Sequence, residues 1–226
     1  MSGKPSHNKG LLVVLSAASG TGKTTVANIL IHRCLNMIRS ISVTTRKARR
    51  GETEGKAYRF VTDMEFDQMI QKGELLEWAK VFNHRYGTPL SFVKEQTDNG
   101  KDVLLVIDVQ GGMALKKMHP GTVLIFLVPP SGAELRRRIK KRGSENPGEM
   151  TARLHHAAAE LAEASGYDYI VINDRVSAAA ARIKSIVDAE KSSATRMTAF
   201  LEHLRRESGN QAVPPVPESQ SKGSGK

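Results

Sequence analysis

The segment SAASGTGKTT, residues 16–25, constrains the fold of this chain more than any other stretch. It follows an apolar run at residues 11–15, and its last part, Gly22, Lys23 and Thr24, matches the phosphate-binding pattern G-x-x-x-x-G-K-[ST]. Glycines in such a loop let backbone N–H groups approach an oxyanion, and the partial positive charge at the start of the following helix faces the same anion. We therefore expect a strand, a phosphate-binding loop and a helix, with Lys23 on the β- and γ-phosphates of a nucleotide and the Thr24 hydroxyl on Mg²⁺.

The first position of the pattern holds Ala17, where glycine is usual. A methyl group is tolerated at this position if φ stays negative, whereas Gly20 and Gly22 lie nearer the phosphates. The competing interpretation is a chance turn of small residues with a surface lysine, but the strand before it and the helix after it favour a nucleotide site. The expected ATP contacts of the loop are Ala17, Ala18, Ser19, Gly20, Thr21, Gly22, Lys23, Thr24 and Thr25.

Other short apolar runs predict an α/β fold built around a parallel sheet. Continuous rather than alternating apolarity is typical of strands that are buried on both faces. Such runs lie at residues 11–15, 103–107, 123–128 and 169–172. Helices are expected at residues 24–34, 133–142, 149–164 and 177–204. Because strands and helices alternate, we predict a doubly wound core in which helices flank the sheet.

Residues 40–100 interrupt this alternation and predict an inserted α+β subdomain. The segments ISVTTR and KAYRFV, which start at Ile41 and Lys56, are typical of short strands. A helix over residues 63–72 is expected to follow, because Thr62 can cap its start and Glu65 is placed to complete a capping box.

The net charge of +11, from 34 Lys and Arg against 23 Asp and Glu, indicates a polyanionic partner. A nucleic-acid surface and a site for small phosphorylated molecules both fit this charge. Aromatic residues make up only 5% of the chain and do not interleave with the arginine clusters, which disfavours stacking on single-stranded nucleic acid. We therefore expect a small phosphorylated molecule as partner and no nucleic acid.

The remaining composition bears on the extent of the domain and on its surroundings. No run of 18 apolar residues is present, so no membrane partner is expected, and the single cysteine, Cys34, fits a reducing cytoplasm. Residues 1–9 and the Pro-, Ser- and Gly-rich residues 208–226 are expected to be disordered, which leaves one domain at residues 10–207. The oligomeric state stays open, with the long C-terminal helix as the candidate interface of a homo-oligomer.

Two arginines and two tyrosines of the inserted block have the chemistry of a phosphate clamp. Arg46 and Arg49 lie close together in SVTTRKARRGE, and Tyr58 and Tyr86 follow. Planar guanidinium groups match phosphate oxygens, and tyrosine hydroxyls add hydrogen bonds. Taken one by one, however, these residues are better explained as parts of a solvated basic surface.

Taken together, the motifs resemble those of the guanylate kinase family over residues 10–190. The resemblance is carried by SAASGTGKTT, SVTTRKARRGE, LLEWAKVFNHRYGT, VIDVQG, FLVPPS, LRRRIKKRG and IVIND. It implies a P-loop nucleoside monophosphate kinase fold with a core, a GMP-binding subdomain at residues 40–100 and a helical lid at residues 132–165. It also implies direct, in-line transfer of a phosphoryl group from ATP to GMP, with Mg²⁺ as cofactor, in purine nucleotide metabolism.

The resemblance further implies roles for individual residues of the GMP site. The contacts of the acceptor phosphate would be Arg46, Arg49, Tyr58 and Tyr86, and the guanine edge would be read by Ser42, Glu77, Thr88 and Asp108, with Glu52 among the GMP contacts. Guanine presents N1–H and an amino group, which one carboxylate can accept together. Adenine has an acceptor at N1 and would leave Glu77 unpaired, so a polar site of this kind rejects it.

The lid implied by the resemblance supplies Arg138 and Arg142, with Arg153 beyond the lid loop. Together with Lys23 and Arg46 these are the expected catalytic residues. Arginine placed on a transferring phosphoryl group accelerates related reactions by about 10³–10⁵.

Three residues near the ends of two predicted strands complete the comparison with the family pattern. One is a further ATP contact that the resemblance implies, and the other two depart from the pattern. Asn173 is expected near the donor adenine. Val106 stands where the family often has a carboxylate, which leaves only Asp108 to serve both Mg²⁺ and the guanine edge. Arg175 replaces the second aspartate of a common NDD motif and is expected to matter little.

The residues leave three alternatives open. A guanylate-kinase-like domain can be a catalytically dead module that binds phosphorylated proteins, although such modules tend to lack a working phosphate loop. The chain could instead be a kinase for another nucleoside monophosphate, which assays with AMP, UMP and dGMP would detect. A nucleic-acid binder would show a strong, salt-dependent affinity for random DNA that GMP does not inhibit.

Overall fold

The computed structural model describes residues 9–49, 51–81, 83–141 and 147–209. In chain order the strands are β1 Leu12–Ala17, β2 Met37–Arg39, β3 Val43–Thr44, β4 Arg59–Phe60, β5 Leu75–Val81, β6 His84–Pro89, β7 Asp102–Leu105, β8 Val123–Val128 and β9 Tyr169–Ile172. The helices are α1 Lys23–Arg33, α2 Asp63–Gln71, α3 Leu90–Asp98, α4 Val109–Met118, α5 Gly132–Lys141, α6 Pro147–Ala162, α7 Val176–Lys191 and α8 Ala194–Gly209. A short 3₁₀ helix, Glu163–Gly166, follows α6.

The central sheet has the strand order β2-β7-β1-β8-β9, and its pairings are parallel. This confirms the predicted parallel sheet, and both β8 and β9 have the predicted bounds. Strand β7 ends at Leu105, two residues before the end of the predicted run, so Ile107 lies beyond the sheet. Strand β2 was not predicted from the sequence, because it has only three residues and the last of them is Arg39, so it does not form an apolar run.

Both faces of the central sheet are covered, which explains the continuous apolarity of its strands. Val13 and Leu15 of β1 pack in one cluster with Ile183 of α7. Val14 packs in a different cluster with Leu115 of α4. All five side chains are fully buried, and each such burial contributes about 1.5–3 kcal/mol. This packing fixes the sheet edge from which the phosphate-binding loop departs.

The inserted block forms a second sheet in the order β4-β3-β6-β5, and its β5–β6 pair is antiparallel, with Glu77 opposite Thr88. Helix α2 packs on this sheet through Phe66, which is fully buried. The predicted capping box is confirmed: the Glu65 amide donates to Thr62 Oγ1 at 3.2 Å, and the Thr62 amide donates to Glu65 Oε2 at 2.7 Å. The block therefore combines strands and a helix, as its sequence predicts.

The C-terminal helix predicted at residues 177–204 is wrong as a single element. Helices α7 and α8 occupy this stretch, and Ser192 and Ser193 lie between them. Serine side chains compete for the backbone hydrogen bonds of a helix, and Ser192 Oγ donates to the Asp188 carbonyl at 3.2 Å. Two consecutive serines therefore end α7 before the apolar pattern ends.

The described part of the chain extends past the predicted domain at both ends. Lys9 forms an ion pair with Asp98 at 2.7 Å. Helix α8 continues to Gly209, so residues 208–209 are helical rather than part of the tail. Residues 1–8 and 210–226, for which disorder is predicted, lie outside the described residues. Within the described ranges, no helix is long and apolar enough to cross a membrane.

Candidate active site

The phosphate-binding loop lies where the sequence predicts it, between β1 and α1. Ala17 is the last residue of β1 and pairs with Leu127, so its backbone is extended and its methyl group causes no strain. Gly20 and Gly22 have φ angles of 87° and 93°, in the left-handed region that favours glycine. The backbone condition that the sequence analysis set for alanine at the first position is therefore met.

Asn173, which directly follows β9, holds the loop in place. Its side-chain amide donates to the Thr21 carbonyl at 2.7 Å, and a Cβ on Gly22 would lie 3.1 Å from the same nitrogen. Arg138 of α5 donates to the carbonyls of Thr21 at 3.2 Å and Asn173 at 3.0 Å. Because Asn173 is only 2% exposed, its role in this structure is to position the loop, and a contact with the donor adenine stays a prediction.

A cavity of about 440 Å³ is lined both by the loop and by basic residues of the inserted block. The loop and helix residues that line it are Ala17, Ala18, Ser19, Gly20, Thr21, Gly22, Lys23 and Thr24. The other lining residues are Arg39, Arg46, Arg49, Glu52, Ala57, Tyr58, Val81, Tyr86, Asp108, His156 and Glu160. The fold thus brings the predicted phosphate sites of ATP and GMP into one space. Thr25 is exposed in α1 but is not among these lining residues.

Lys23 and Thr24 form the first turn of α1 at this cavity. Lys23 Nζ donates to the Ile107 carbonyl at 2.8 Å, and Thr24 is exposed. Mg²⁺ prefers oxygen ligands and usually takes one or two protein groups together with phosphates of the nucleotide. The Thr24 hydroxyl and the Asp108 carboxylate line the cavity and suit this role, whereas Val106 supplies no oxygen from its side chain.

Arg46 is fixed before any ligand binds. Its Nη2 donates to both carboxylate oxygens of Glu52 at 2.9 Å, its Nε donates to the Tyr86 hydroxyl at 3.2 Å, and its Nη1 donates to the Lys47 carbonyl at 2.8 Å. The guanidinium also lies over the Tyr58 ring, 5.4 Å from its centre. A group oriented in this way loses little conformational freedom when a phosphate binds.

Glu52 holds the arginine segment in shape, since its carboxylate also accepts from the Arg49 amide at 2.8 Å. Partial burial opposes ionisation, but the hydrogen bonds from the Arg49 amide and the Arg46 guanidinium outweigh it and lower the pKa of Glu52. In this structure Glu52 acts through its two arginine neighbours, and a direct contact with GMP stays a prediction.

The two predicted tyrosines lie together in the cavity. The rings of Tyr58 and Tyr86 meet edge to face, with their centres 5.8 Å apart. Burial raises the pKa of the Tyr58 hydroxyl, so this group stays protonated and can donate a hydrogen bond to a phosphate oxygen.

A smaller cavity of about 160 Å³ is lined by three of the four predicted base-reading residues and shares part of its lining with the larger one. Ser42, Glu77 and Asp108 line it, and the Thr88 hydroxyl donates to Glu77 Oε1 at 2.6 Å. Glu77 is only 5% exposed, and this burial raises its pKa to about 7. The hydrogen bond from Thr88 lowers the pKa of Glu77, and the charge of Asp108 raises it, but both effects are smaller than that of burial. A carboxyl so placed suits a partner that brings two N–H donors.

The start of α4 fits closely against Glu77. Asp108 caps this helix by accepting from the Gly111 amide at 2.8 Å. A Cβ on Gly111 would lie 2.6 Å from Glu77 Oε2. Any other residue at this position would therefore clash with the carboxyl group unless that group moved. Sequence reasoning missed this residue, although the paired glycines of VIDVQGG carry the signal.

The predicted lid arginines differ in their surroundings. Arg138 is paired with Glu134 at 2.7 Å, and hydrogen bonds from Arg137 and Arg138 lower the pKa of Glu134 to about 2. Arg153 lies in α6, is half-buried and is not among the lining residues of the large cavity. Arg142 lies outside the described residues. Roles of these arginines in the reaction stay predictions.

Three polar lining residues of the large cavity were not foreseen from the sequence: Arg39, His156 and Glu160. Glu160 Oε2 accepts from the Ser19 amide at 2.8 Å, so a carboxylate of α6 binds one of the N–H groups of the phosphate loop. His156 Nδ1 lies 3.3 Å from the same carboxylate. In the sequence these are scattered polar residues, and only the fold brings them to the loop.

The sequence and the fold of this chain are similar to those of known proteins. Residues 9–190 match the sequence profile of the guanylate kinase family. The chain is 46% identical to the guanylate kinase of Caldanaerobacter subterraneus subsp. tengcongensis, over 88% of this chain and 97% of that one, and 43% identical to that of Thermotoga maritima, over 88% and 96%. The crystal structure of guanylate kinase from Anaplasma phagocytophilum is similar, with a TM-score of 0.72 and 39% identity over 84% of this chain and 90% of that one. This chain therefore belongs to the guanylate kinase family.

Proposed function

We propose that this protein transfers the γ-phosphoryl group of ATP to GMP and releases ADP and GDP. The observation that carries the proposal is the cavity shared by a phosphate-binding loop and an arginine–tyrosine cluster, with a carboxyl-containing pocket beside it. Because one space can take both substrates, an oxygen of the GMP phosphate can attack the γ-phosphorus in line while the bond to ADP breaks. No phosphorylated form of the protein is then needed.

On the donor side, the loop N–H groups and Lys23 would bind the β- and γ-phosphates. Mg²⁺ bound at Thr24 and the ATP phosphates, with Asp108 nearby, would neutralise charge on the transferring group. Arg138 already contacts the Thr21 carbonyl of the loop, which supports a position beside the donor phosphates.

On the acceptor side, Arg46, Arg49 and the two tyrosine hydroxyls would bind the phosphate of GMP. The base would lie against Glu77, whose carboxylate accepts from the N1–H and the amino group of guanine. Adenine would leave this buried carboxyl without a donor, and polar sites of this kind discriminate by about 10⁴-fold or more. Since these contacts involve only base and phosphate, we extend the proposal to dGMP.

The alternatives open at the sequence level are less well supported. A binding module without activity gives no reason for a loop that keeps Gly22, Lys23 and Thr24 at the wall of a cavity. A nucleic-acid surface gives no reason for the buried Glu77. The free thiol of Cys34 agrees with the cytoplasm as the place of the reaction.

The proposal is tested by coupling ADP release to a colour change with GMP, dGMP, AMP, UMP and CMP as acceptors, each with ATP and Mg²⁺. We expect turnover with GMP and dGMP and a rate lower by several orders of magnitude with the other acceptors. Comparable turnover with AMP would contradict the role of Glu77. ADP release that no monophosphate stimulates would contradict the proposed reaction.

A further inference from the structure

Arg39 extends into the large cavity from the central sheet rather than from the inserted block. It is the last residue of β2, and its backbone pairs with Leu104 of β7. Its side chain lines the same cavity as Arg46, Arg49 and Tyr58. Its position at the end of a core strand distinguishes it from Arg46 and Arg49.

The guanidinium of Arg39 lacks the partners that a partly buried arginine usually has. Its Nε is shielded from solvent and has no hydrogen-bond partner in the described part of the protein. Within the same ranges, no carboxylate forms an ion pair with it. Burial lowers the pKa of Arg39, although the nearby Tyr58 opposes this shift. Burying a charged donor without a partner is unfavourable, so the site is incomplete as it stands.

In the described part of the protein, the carboxylates that line the cavity bind groups other than Arg39. Glu52 binds Arg46 through both of its oxygens at 2.9 Å. Asp108 and Glu160 each accept from a backbone amide at 2.8 Å. The charge of Arg39 is therefore left for an anion that enters the cavity.

We propose that Arg39 binds the phosphate of the acceptor nucleotide, as a third arginine beside Arg46 and Arg49. The inference rests on the proposed function and adds a binding residue to it. Arg39 lines the same cavity as Arg46 and Arg49, which would bind the acceptor phosphate. A guanidinium can give a phosphate two parallel N–H bonds, and the orphaned Nε is one of the required donors.

Arg39 would also align the two substrates. Arg46 and Arg49 belong to the inserted block, whereas Arg39 is attached to the parallel sheet that carries the phosphate loop. A phosphate held by all three is thereby tied to both parts of the protein. Loss of Arg39 is expected to lower kcat as well as the affinity for GMP, because alignment of the reacting groups is lost.

The test compares GMP with guanosine, which has the same base and no phosphate. We expect Arg39→Met to weaken GMP binding by about 10- to 100-fold, the effect of losing a hydrogen bond to a charged group. Guanosine and ATP binding should stay as in the unmodified protein, and Arg39→Lys should restore part of the GMP affinity. The matched control is Arg59→Met, which removes an exposed arginine next to Tyr58 and should leave GMP binding unchanged. Calorimetry measures all of these affinities.

Unchanged GMP affinity in Arg39→Met, an equal loss for guanosine, or a loss confined to ATP would overturn the inference. If Arg39→Met does not fold, a measurement on the unmodified protein still tests the inference. The nitrogen NMR signal of Arg39 Nε should shift when GMP is added and should not shift when guanosine is added. No shift with GMP would likewise overturn it. If the unmodified protein phosphorylates GMP while Arg39→Met binds it normally, only the role of Arg39 fails, whereas no binding of GMP at all refutes the proposed function too.

Discussion

The raised pKa of Glu77 predicts that the affinity for GMP depends on pH near neutrality. Burial brings this pKa to about 7 in the structure, so the carboxyl is half ionised at neutral pH. Guanine offers two donors and needs the ionised carboxylate as acceptor, so GMP binding releases the proton. The affinity is therefore full above this pKa and is lost as the pH falls through it.

The size of the effect follows from the ionised fraction. With a pKa of about 7, that fraction is about 0.9 at pH 8 and about 0.1 at pH 6, so GMP should bind about tenfold more weakly at pH 6 through this group alone. Calorimetric titration at pH 6, 7 and 8 measures the change in affinity. The number of protons released on binding at each pH gives an independent value of the Glu77 pKa.

A control is needed because a nucleotide phosphate also titrates near pH 6 and would change the affinity with pH. It separates the pH effect of Glu77 from the pH effect of the GMP phosphate. Glu77→Gln keeps the shape of the side chain and the contribution of the phosphate but cannot ionise. The affinity of the unmodified protein should fall about tenfold more than that of the variant between pH 8 and pH 6. Equal pH dependence in the two proteins would refute the reasoning about a buried, titrating carboxyl.

Four further substitutions test other parts of the site. Lys23→Ala should lower kcat by about 100- to 1,000-fold, the cost of removing one group that stabilises the transition state, with GMP affinity unchanged in calorimetry; a fully active variant would contradict its role. Thr88→Val removes the hydroxyl that donates to Glu77, so the pH midpoint of GMP binding should rise, and a midpoint that stays or falls would argue against that contact. Gly111→Ala places a methyl group 2.6 Å from Glu77 Oε2 and should weaken GMP but not ATP binding, whereas unchanged GMP affinity would show that the carboxyl has room to move. Asn173→Ala removes the donor to the Thr21 carbonyl and should lower the free energy of unfolding in urea by about 1–3 kcal/mol; no loss would mean that the loop is held by other bonds.

The sequence was most informative where one local rule determines structure. Apolar runs gave strands β8 and β9 with their bounds, and the Thr62–Glu65 capping box marked the start of α2. Ala17 ends β1, so its backbone meets the condition of a negative φ that the sequence analysis set for alanine at this position. Each of these features depends on residues that are close together in the chain.

Features that depend on distant residues were not predictable in the same way. Arg39 is an ordinary basic residue until β2 pairs with β7 and the inserted block lines the same cavity. The contact between Glu160 and the Ser19 amide joins residues that are far apart in the chain. The break between α7 and α8 was missed because the apolar pattern continues across two serines that favour leaving the helix.

The central claim is that one cavity holds the phosphates of both nucleotides at once. A bisubstrate molecule, in which adenosine and guanosine are joined through a polyphosphate chain, tests it most directly in inhibition kinetics. We predict that this compound competes with both ATP and GMP and binds more tightly than either substrate alone, because one molecule would span the loop, the arginines and Glu77. Competition with only one of the two substrates would contradict a shared cavity.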